Sequence, residues 1–289
     1  MCANRVGRLM MASVVVGCSC TLATALGADT LKPPCQADKT LVVPMGEKGV
    51  TVGDFVTHLK GEPGKEKTTA TVKWDDKGFA VVFDCEDKQI VADRTQRDDQ
   101  ELWKDDNVEF FLDVSHTHDI ESVWVHVIVT PKGTLYDEEG PVAARFTSGE
   151  IAYGMLGFDP ENMKTKAEAT ANGWRVEIMI PWADMELEPP KVGDIWGLNL
   201  NRTDHPEEDY LCFSQTYGFF YNIHQWGHIA FADQDGNTGM TAEELDQKVA
   251  ARHKEKGLEL TKEEAEKLKA AQGEAEKRKK EKEAAEDVE

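Results

Sequence analysis

Residues 103–113 read WKDDNVEFFLD, and this stretch gives the first evidence for the fold class. Apolar residues occupy every second position from Val108 to Leu112 and therefore share one face of an extended chain. Glu109 and Phe111 fall on the opposite face. The alternation predicts a β-strand that turns one face toward a hydrophobic core.

The same period of two recurs on both sides of this strand. Alternating or strand-like runs lie at residues 69–74, 79–84, 123–130, 174–180, 196–201, 210–215 and 227–232. A four-residue turn at 75–78 joins the first two runs and predicts a hairpin, and no helical pattern of useful length precedes Thr241. Many short strands separated by turns predict an all-β protein, an antiparallel β-sandwich of jelly-roll or immunoglobulin-like type over residues 29–236.

The net charge of the chain disfavours some classes of binding partner. The 289 residues contain 54 Asp and Glu against 33 Lys and Arg, which gives a formal net charge of −21. A nucleic-acid-binding surface needs cationic groups to replace phosphate counterions, so we expect no nucleic-acid partner. The same excess of acid disfavours adsorption to anionic lipid.

The N-terminus is typical of an export signal. Arg5 and Arg8 precede an uncharged, partly apolar stretch that ends in small residues. We predict that residues 1–28 are a signal peptide and that the protein is secreted or periplasmic. The alternative is a lipoprotein anchored at Cys18, because residues 15–18, VVGC, resemble a bacterial lipobox. No further candidate membrane span follows.

The C-terminal residues 237–289 differ from the rest of the chain. From Thr241 onward they contain no Trp, Tyr, Phe or Pro. Thr241 with Glu244, and Thr261 with Glu264, form capping boxes that predict helix starts. We predict a charged α-helical tail that serves as a spacer or as a handle for a protein partner.

The chain carries no familiar catalytic motif. It has no Gly-rich phosphate loop, no G-x-S-x-G elbow and no H-E-x-x-H. The acidic pairs are interpreted as solvated loop charges: Asp98-Asp99, Asp105-Asp106 and Glu138-Glu139. His116 and His118 are interpreted as part of a polar turn rather than a metal site.

The cysteines and most tryptophans are interpreted as structural. Cys85 and Cys212 lie in strand-like runs and are expected to be buried thiols, while disulfide pairing among them and Cys35 stays open. Apolar faces carry the tryptophans that we expect in the core: Trp74, Trp174 and Trp196. Asp106 is expected to organise the loop before the strand through an Asx-type hydrogen bond.

Five motifs follow one another in an order that resembles a known family. They are Trp74-Asp75-Asp76 with FAVVF at 79–83, the W-x-x-D-x-V-E-x-x-x-D pattern at 103–113, GWRVEIMIPW at 173–182, GDIWGLNLNR at 193–202 and WGHIAF at 226–231. Together they resemble the family 9 carbohydrate-binding modules, which are similar to DOMON-type sandwiches. The resemblance covers roughly residues 35–232.

The resemblance implies a binding site. In that family an antiparallel sandwich grips the terminal sugar of a glucan or xylan between two aromatic rings, acid and amide side chains contact hydroxyls, and calcium ions stiffen the loops. By position, Trp103 would be one ring, Glu109 would accept hydrogen bonds from hydroxyls, and Asn201 would supply an amide. These three residues would contact the sugar directly. Calcium would be a structural cofactor, although no ligand set can be assigned.

The second ring and one strand depart from the family pattern. Phe220 falls at the second ring, where the family has Trp, with Phe219 and Tyr221 as alternates. Where the family directs an Arg and an Asn toward the sugar, this chain offers His126 and Ile128. The geometry expected from the resemblance is two opposing rings, with the Glu109 carboxylate as the floor between them.

Three other functions compete with glycan binding. DOMON-type relatives include b-type haem carriers ligated by Met and His, for which Met179, His126 and His228 are the candidates. A glycan-active enzyme would use Asp and Glu residues that the sequence does not place. An envelope scaffold would use the sandwich only as a platform.

Overall fold

The structure, a computed structural model, describes residues 39–116, 123–140, 158–205 and 207–255. Its strands are β1 (Thr40–Pro44), β2 (Gly46–Val52), β3 (Val56–Thr57), β4 (Thr68–Trp74), β5 (Gly78–Glu86), β6 (Asn107–Asp113), β7 (Trp124–Val129), β8 (Leu135–Glu139), β9 (Lys164–Thr170), β10 (Gly173–Pro181), β11 (Ile195–Asp204), β12 (Asp209–Cys212) and β13 (Gly227–Ala232). An α-helix, α1, follows at Ala242–Glu255. The predicted signal peptide, Cys18, Cys35, His118 and the second capping box lie outside the described residues.

The strands form two sheets. The larger sheet has the order β1-β13-β11-β6-β7-β8, with β12 paired to β11 and β3 paired to β12. The smaller sheet has the order β2-β4-β5-β10-β9. The β1–β13 pair is parallel, and the other pairs are antiparallel. The prediction of an all-β, antiparallel β-sandwich is confirmed.

The hydrophobic core lies between the two sheets. Its members come from the inward faces of both: the larger sheet contributes Val108, Phe110, Leu112, Val125, Val127, Leu198 and Leu200, and the smaller sheet contributes Val72, Phe79, Val81, Phe83, Val176, Ile178 and Ile180. Trp74, Trp174 and Trp196 are buried there, as predicted. The period of two in the sequence therefore marks the residues that fill this core.

Most predicted strands occur where the sequence places them, and the hairpin at 75–78 joins β4 to β5. The runs predicted from the alternation do not include β1, β2, β3, β8 or β9. Strand β9 reads KTKAEAT, has no large apolar residue and lies at a sheet edge. Strand β8 reads LYDEE, and its three acidic residues give no apolar alternation, although the strand pairs with β7.

Helix α1 begins at the predicted capping box. The hydroxyl of Thr241 accepts the Glu244 N–H at 3.2 Å, and the Glu244 carboxylate accepts the Thr241 N–H at 2.8 Å. Leu245 and Val249 are buried in a cluster with Ile195 of β11 and other residues. The first turns of the charged tail therefore pack on the larger sheet. Among the described residues, no helix has the length and apolarity needed to cross a bilayer.

Cys85 and Cys212 are buried free thiols, as expected. Burial raises the pKa of each thiol to about 12. Because the thiolate is the reactive form of cysteine, neither group is reactive in the folded protein at neutral pH.

Candidate functional site

Strand β6 carries polar chemistry on its outer face, meaning the face turned away from the core. Glu109 and Phe111 lie there and are only 4% and 0% exposed. Val108, Phe110 and Leu112 alternate with them and fill the core. A buried carboxylate is strongly unfavourable unless it is paired, so Glu109 needs a donor nearby.

That donor is His126 on the neighbouring strand β7. Its Nε2 lies 2.5 Å from the Glu109 carboxylate, and its Nδ1 lies 3.0 Å from Oε1 of Glu138 on β8. The imidazole is fully buried and stacks on Phe111, with ring centroids 3.9 Å apart. An imidazole between two carboxylates can donate to both only when both of its nitrogens carry protons.

Two opposing effects set the pKa of His126. Burial by itself would lower this pKa, because it disfavours the charged imidazolium. The hydrogen bonds and negative charges of Glu109 and Glu138 outweigh burial and raise the pKa above its usual value. The resemblance predicts a sugar contact for His126, but the structure places the ring below the surface with both nitrogens engaged. The contacts that His126 makes in the structure are with Glu109 and Glu138, and a sugar contact for it stays a prediction.

Two tyrosine hydroxyls complete the contacts of Glu138. Tyr136 donates to Oε2 at 2.8 Å, and Tyr221 donates to Oε1 at 2.5 Å. Burial and the neighbouring Glu138 carboxylate raise the pKa of Tyr221 well above its usual value. The interpretation of Glu138 as a solvated loop charge is wrong, because Glu138 lies on a paired strand and is fully buried.

An aromatic cluster covers this polar group. It consists of buried Phe111, Trp124, Ile223 and Trp226, with Phe220 and Tyr221 packed against it. The segment 219–226 therefore lies over the outer faces of β6 and β7. It brings the predicted second ring close to the strands that carry Glu109 and His126.

Asn201 lies beside Glu109. In the antiparallel pair of β11 and β6 it stands directly opposite Glu109, where Cβ atoms are about 5 Å apart. Within the described part of the chain, neither polar atom of its fully buried amide has a hydrogen-bond partner. The nearby Asn199, by contrast, is satisfied by the backbone of Ser214 at 2.9 and 3.2 Å. Buried unpaired amides are uncommon, so Asn201 has hydrogen-bonding capacity to offer a ligand.

Trp103 is an exposed aromatic at the edge of this region. It lies on a 3₁₀ turn, Leu102–Lys104, just before β6, and its side chain is 42% exposed. The Lys104 ammonium lies 5.4 Å from the centre of the indole ring. Trp103 is therefore not a core residue, and its ring offers an apolar surface to a ligand.

Two buried carboxylates fix the segment that carries Trp103. Asp106 accepts the N–H groups of Val91 and His205, each at 2.5 Å, and Asp105 pairs with Arg94 at 2.8 Å. Asp105 and Asp106 are fully buried, so their interpretation as solvated loop charges is wrong. Asp106 does organise loops, but its partners lie 15 and 99 positions away, which no Asx turn could span. Burial raises the pKa of Asp106 to about 6.

Two ring contacts and one contact to the backbone connect Phe220 to the Trp103 segment. The ring of Phe220 lies 6.5 Å from that of Tyr210, which lies 5.9 Å from that of His205. The Nε2 of His205 is 3.5 Å from the Trp103 carbonyl oxygen. That Trp103 and Phe220 face each other across an open slot stays a prediction. Of the two alternates, Phe219 is 65% exposed, whereas Tyr221 is bound to Glu138.

A separate carboxylate group could hold a cation. Ligand oxygens of buried Glu66, Asp87 and Asp204 lie within 4.8 Å of one another. Nη2 of Arg202 lies 3.0 Å from Asp204, 3.4 Å from Asp87 and 3.9 Å from Glu66, so one guanidinium offsets part of the negative charge. Neither oxygen of Asp204 accepts a hydrogen bond in the described residues, and burial raises its pKa to about 7. Carboxylate oxygens suit a hard cation, so these residues are where the predicted calcium would fit.

A family model described as carbohydrate family 9 binding domain-like matches residues 50–233, more than half of the chain. The chain belongs to this family. The family 9 match covers every site residue predicted from the sequence, including Trp103, Glu109 and Phe220. No curated protein matches the chain.

Solved structures with a similar fold include carbohydrate-binding proteins. A family 9 carbohydrate-binding module from Caldicellulosiruptor kristjanssonii, in complex with cellotriose, is 16% identical and covers 67% of this chain and 94% of its own, with a TM-score of 0.46. A second structure, of a family 9 carbohydrate-binding module from Caldicellulosiruptor kristjanssonii in complex with glucose, is 15% identical. It covers 67% of this chain and 96% of its own, with a TM-score of 0.45. A proposed carbohydrate-binding protein from Bacteroides uniformis ATCC 8492 is 13% identical and covers 66% and 97%, with a TM-score of 0.51. At 13% identity, the third structure shows a likeness of fold alone.

The sequence does not identify Glu138 and Tyr136 as partners of the family 9 site, and it offers Tyr221 only as an alternate for the second ring. The only local signal is the two-residue spacing of Tyr136 and Glu138, which places them on one face of β8. Tyr221 is 83 positions from Glu138, and only the folded chain brings them together.

Calcium provides a test of the Glu66, Asp87 and Asp204 group. If these carboxylates hold it, saturating calcium should raise the Tm by about 5–10 °C at pH 8 and by less at pH 6, where Asp204 is largely protonated. Thermal unfolding with calcium or a chelator measures the effect. Asp204→Asn should abolish the gain, and Asp76→Asn, the same change at an exposed turn, should keep it. An equal gain in both variants would place the calcium elsewhere.

Proposed function

We propose that this protein is an exported, non-catalytic carbohydrate-binding protein that holds the end of a glycan between aromatic side chains. Membership of the family supports the proposal. The observation that carries it is the buried amide of Asn201, which has no hydrogen-bond partner in the described residues and stands opposite Glu109. Such a pair of groups is suited to sugar hydroxyls, which both donate and accept hydrogen bonds.

Sugar chemistry matches the three predicted contact residues. A pyranose has an apolar C–H face, which can pack on the exposed indole of Trp103, and hydroxyls, which can donate to Glu109 and pair with Asn201. An aromatic contact contributes about 0.5–1.5 kcal/mol beyond its buried area, and a hydrogen bond to a charged group about 1.5–3 kcal/mol. After the entropy of association is subtracted, we expect dissociation constants of about 10 μM to 1 mM.

The charge of the protein favours an uncharged glycan. A net charge of −21 repels acidic polysaccharides, because like charges raise the energy of the encounter. In the proposed site, Glu109 would supply a hydrogen-bond acceptor, and Asn201 would supply an amide that has no partner in the described residues. Neutral hydroxyl-bearing sugars therefore suit it better than uronic acids.

The competing functions have less support. Met179 lies on the outer face of the smaller sheet, between core residues Ile178 and Ile180, whereas His126 lies on the outer face of the larger sheet. His228 precedes the core residue Ile229 on β13, so it also lies on the outer face of the larger sheet. Met179 therefore cannot ligate one haem together with either histidine. A glycan-active enzyme would release new reducing ends from polysaccharides, which the binding proposal does not predict.

Export is part of the proposal and has its own test. If residues 1–28 are a signal peptide, the mature protein should begin at Asp29, and mass spectrometry of protein recovered outside the cytoplasm measures this start. A diacylated or triacylated N-terminal Cys18 would show the lipoprotein alternative instead. Recovery of the uncleaved chain from the cytoplasm would count against export.

Trp103→Ala should weaken glycan binding by about tenfold or more, because the variant loses its apolar platform. Calorimetric titration with cellotriose and xylotriose measures the loss. Val192→Ala serves as a control, because Val192 is about as exposed as Trp103 but lies far from the site. Val192 precedes Ile195, the first residue of β11, which lies about 20 Å along the strand from Asn201. Equal binding by Trp103→Ala and wild type would remove Trp103 from the site.

Asn201→Leu should separate binding from stability. It removes two buried polar atoms that lack partners, so the free energy of unfolding should stay the same or rise by about 1 kcal/mol, while glycan affinity falls by about tenfold. Urea unfolding and calorimetry measure the two quantities. Asn199→Leu, which breaks the contacts to Ser214, should instead lower stability. A large loss of stability in Asn201→Leu would identify Asn201 as a structural residue.

A further inference from the structure

Three hydrogen bonds in series link the floor of the site to the loop that covers it. Tyr221 donates to Glu138 at 2.5 Å, Nδ1 of His126 lies 3.0 Å from Glu138, and Nε2 of His126 lies 2.5 Å from Glu109. We call these four residues the His126 bridge. The bridge joins β6, β7 and β8 to the segment 219–226.

The bridge ends next to the predicted second ring. Tyr221 directly follows Phe220 in the chain, and Trp226 donates its indole N–H to the Phe220 carbonyl oxygen at 2.7 Å. The Phe220 ring also contacts His58, with centroids 5.8 Å apart. The backbone of Phe220 is therefore held from two sides, by Tyr221 on the bridge and by Trp226.

The two carboxylates of the bridge favour a proton on both imidazole nitrogens of His126. His126 faces Glu109 from β6, Glu138 and Tyr136 from β8, and Tyr221 from the loop. A neutral imidazole has one N–H, so one of the two buried carboxylates would then face a lone pair. The imidazolium donates to both and balances one of their two charges.

We propose that His126, Glu138 and Tyr221 are positioning residues that hold the Glu109 carboxylate and the Phe220 ring in a fixed relation, so that the two act on a glycan as one unit. This inference rests on the proposed function, because Glu109 and Phe220 are its predicted sugar contacts. It adds three residues that need not touch the sugar themselves. It also makes glycan affinity depend on the proton held by His126.

The sign of the pH effect follows from the bridge. The folded protein raises the pKa of His126, so the bridge is complete below this pKa and is broken as the pH rises through it. Glycan affinity should therefore be constant at lower pH and fall at higher pH. Removing one of the two carboxylates should lower the pKa of His126 and move the fall to lower pH.

Glu138→Gln tests the proton. The variant keeps the shape of the side chain and an oxygen acceptor, and the midpoint of the pH profile for cellotriose affinity should fall by about one pH unit. The His126 ring signals in NMR should titrate with the same shift in the absence of sugar. Glu139→Gln, the next residue on the same strand, should leave the midpoint unchanged. An unchanged midpoint in Glu138→Gln would overturn the proposal.

A double-mutant cycle tests the coupling to Phe220. Tyr221→Phe should weaken cellotriose binding by about fivefold to tenfold in the wild-type background and by less than about twofold in the Phe220→Ala background. The matched control, Tyr136→Phe, removes a hydroxyl from the same carboxylate, but on strand β8 rather than on the loop, and its effect should add to that of Phe220→Ala. Equal effects of Tyr221→Phe in both backgrounds would overturn the proposal.

A measurement without sugar tests the His126 bridge independently of glycan binding. Hydrogen exchange of the Trp226 indole N–H reports on its bond to Phe220, and Tyr221→Phe should speed it by about tenfold while Tyr136→Phe should not. Unchanged exchange in Tyr221→Phe would overturn the bridge. Lack of cellotriose binding by wild type, together with faster exchange in Tyr221→Phe, would count against the proposed function but support the bridge as an anchor of the loop.

Discussion

The two central strands of the larger sheet are buried on both faces, and this constraint governs the rest of the site. All 7 residues of β6 and all 10 of β11 are buried. One face of each strand fills the core with apolar side chains. The other face carries Glu109 and Asn201, which must obtain hydrogen bonds from neighbouring strands, from a covering loop or from a ligand. Glu109 obtains one from His126, whereas both polar atoms of Asn201 remain unpaired in the described residues.

The alternation in the sequence predicts the fold well because the core imposes it directly. Val108, Phe110 and Leu112 repeat every two residues since each must point between the sheets. The pattern fails at β8 and β9, where the strands lie at sheet edges and owe their place to backbone pairing with β7 and β10. Strand β9 buries none of its residues, and the three residues that β8 buries carry polar groups, so neither strand shows an apolar alternation: Tyr136, Asp137 and Glu138.

The candidate site is predictable only in part, for a related reason. The motif around Trp103 identifies Glu109, since the exposed ring and the strand that follows are adjacent in sequence. It cannot identify Tyr221, because the partner of Glu138 comes from a loop that only the folded topology brings over the sheet. The high content of Asp and Glu also hides the buried carboxylates. In so acidic a chain, Asp105, Asp106 and Glu138 resemble ordinary surface charges, although each is buried and hydrogen-bonded.

The two unpaired thiols have a consequence for the order of events during biogenesis. The predicted leader would carry the chain into an oxidising compartment, where an accessible thiolate is readily converted to a mixed or wrong disulfide. Cys85 and Cys212 escape this chemistry only after the strands around them have assembled, since assembly both encloses them and suppresses their ionisation. If the chain is exported, collapse of the sandwich would have to outpace oxidation, and slow-folding variants would then accumulate as crosslinked species rather than as native monomers.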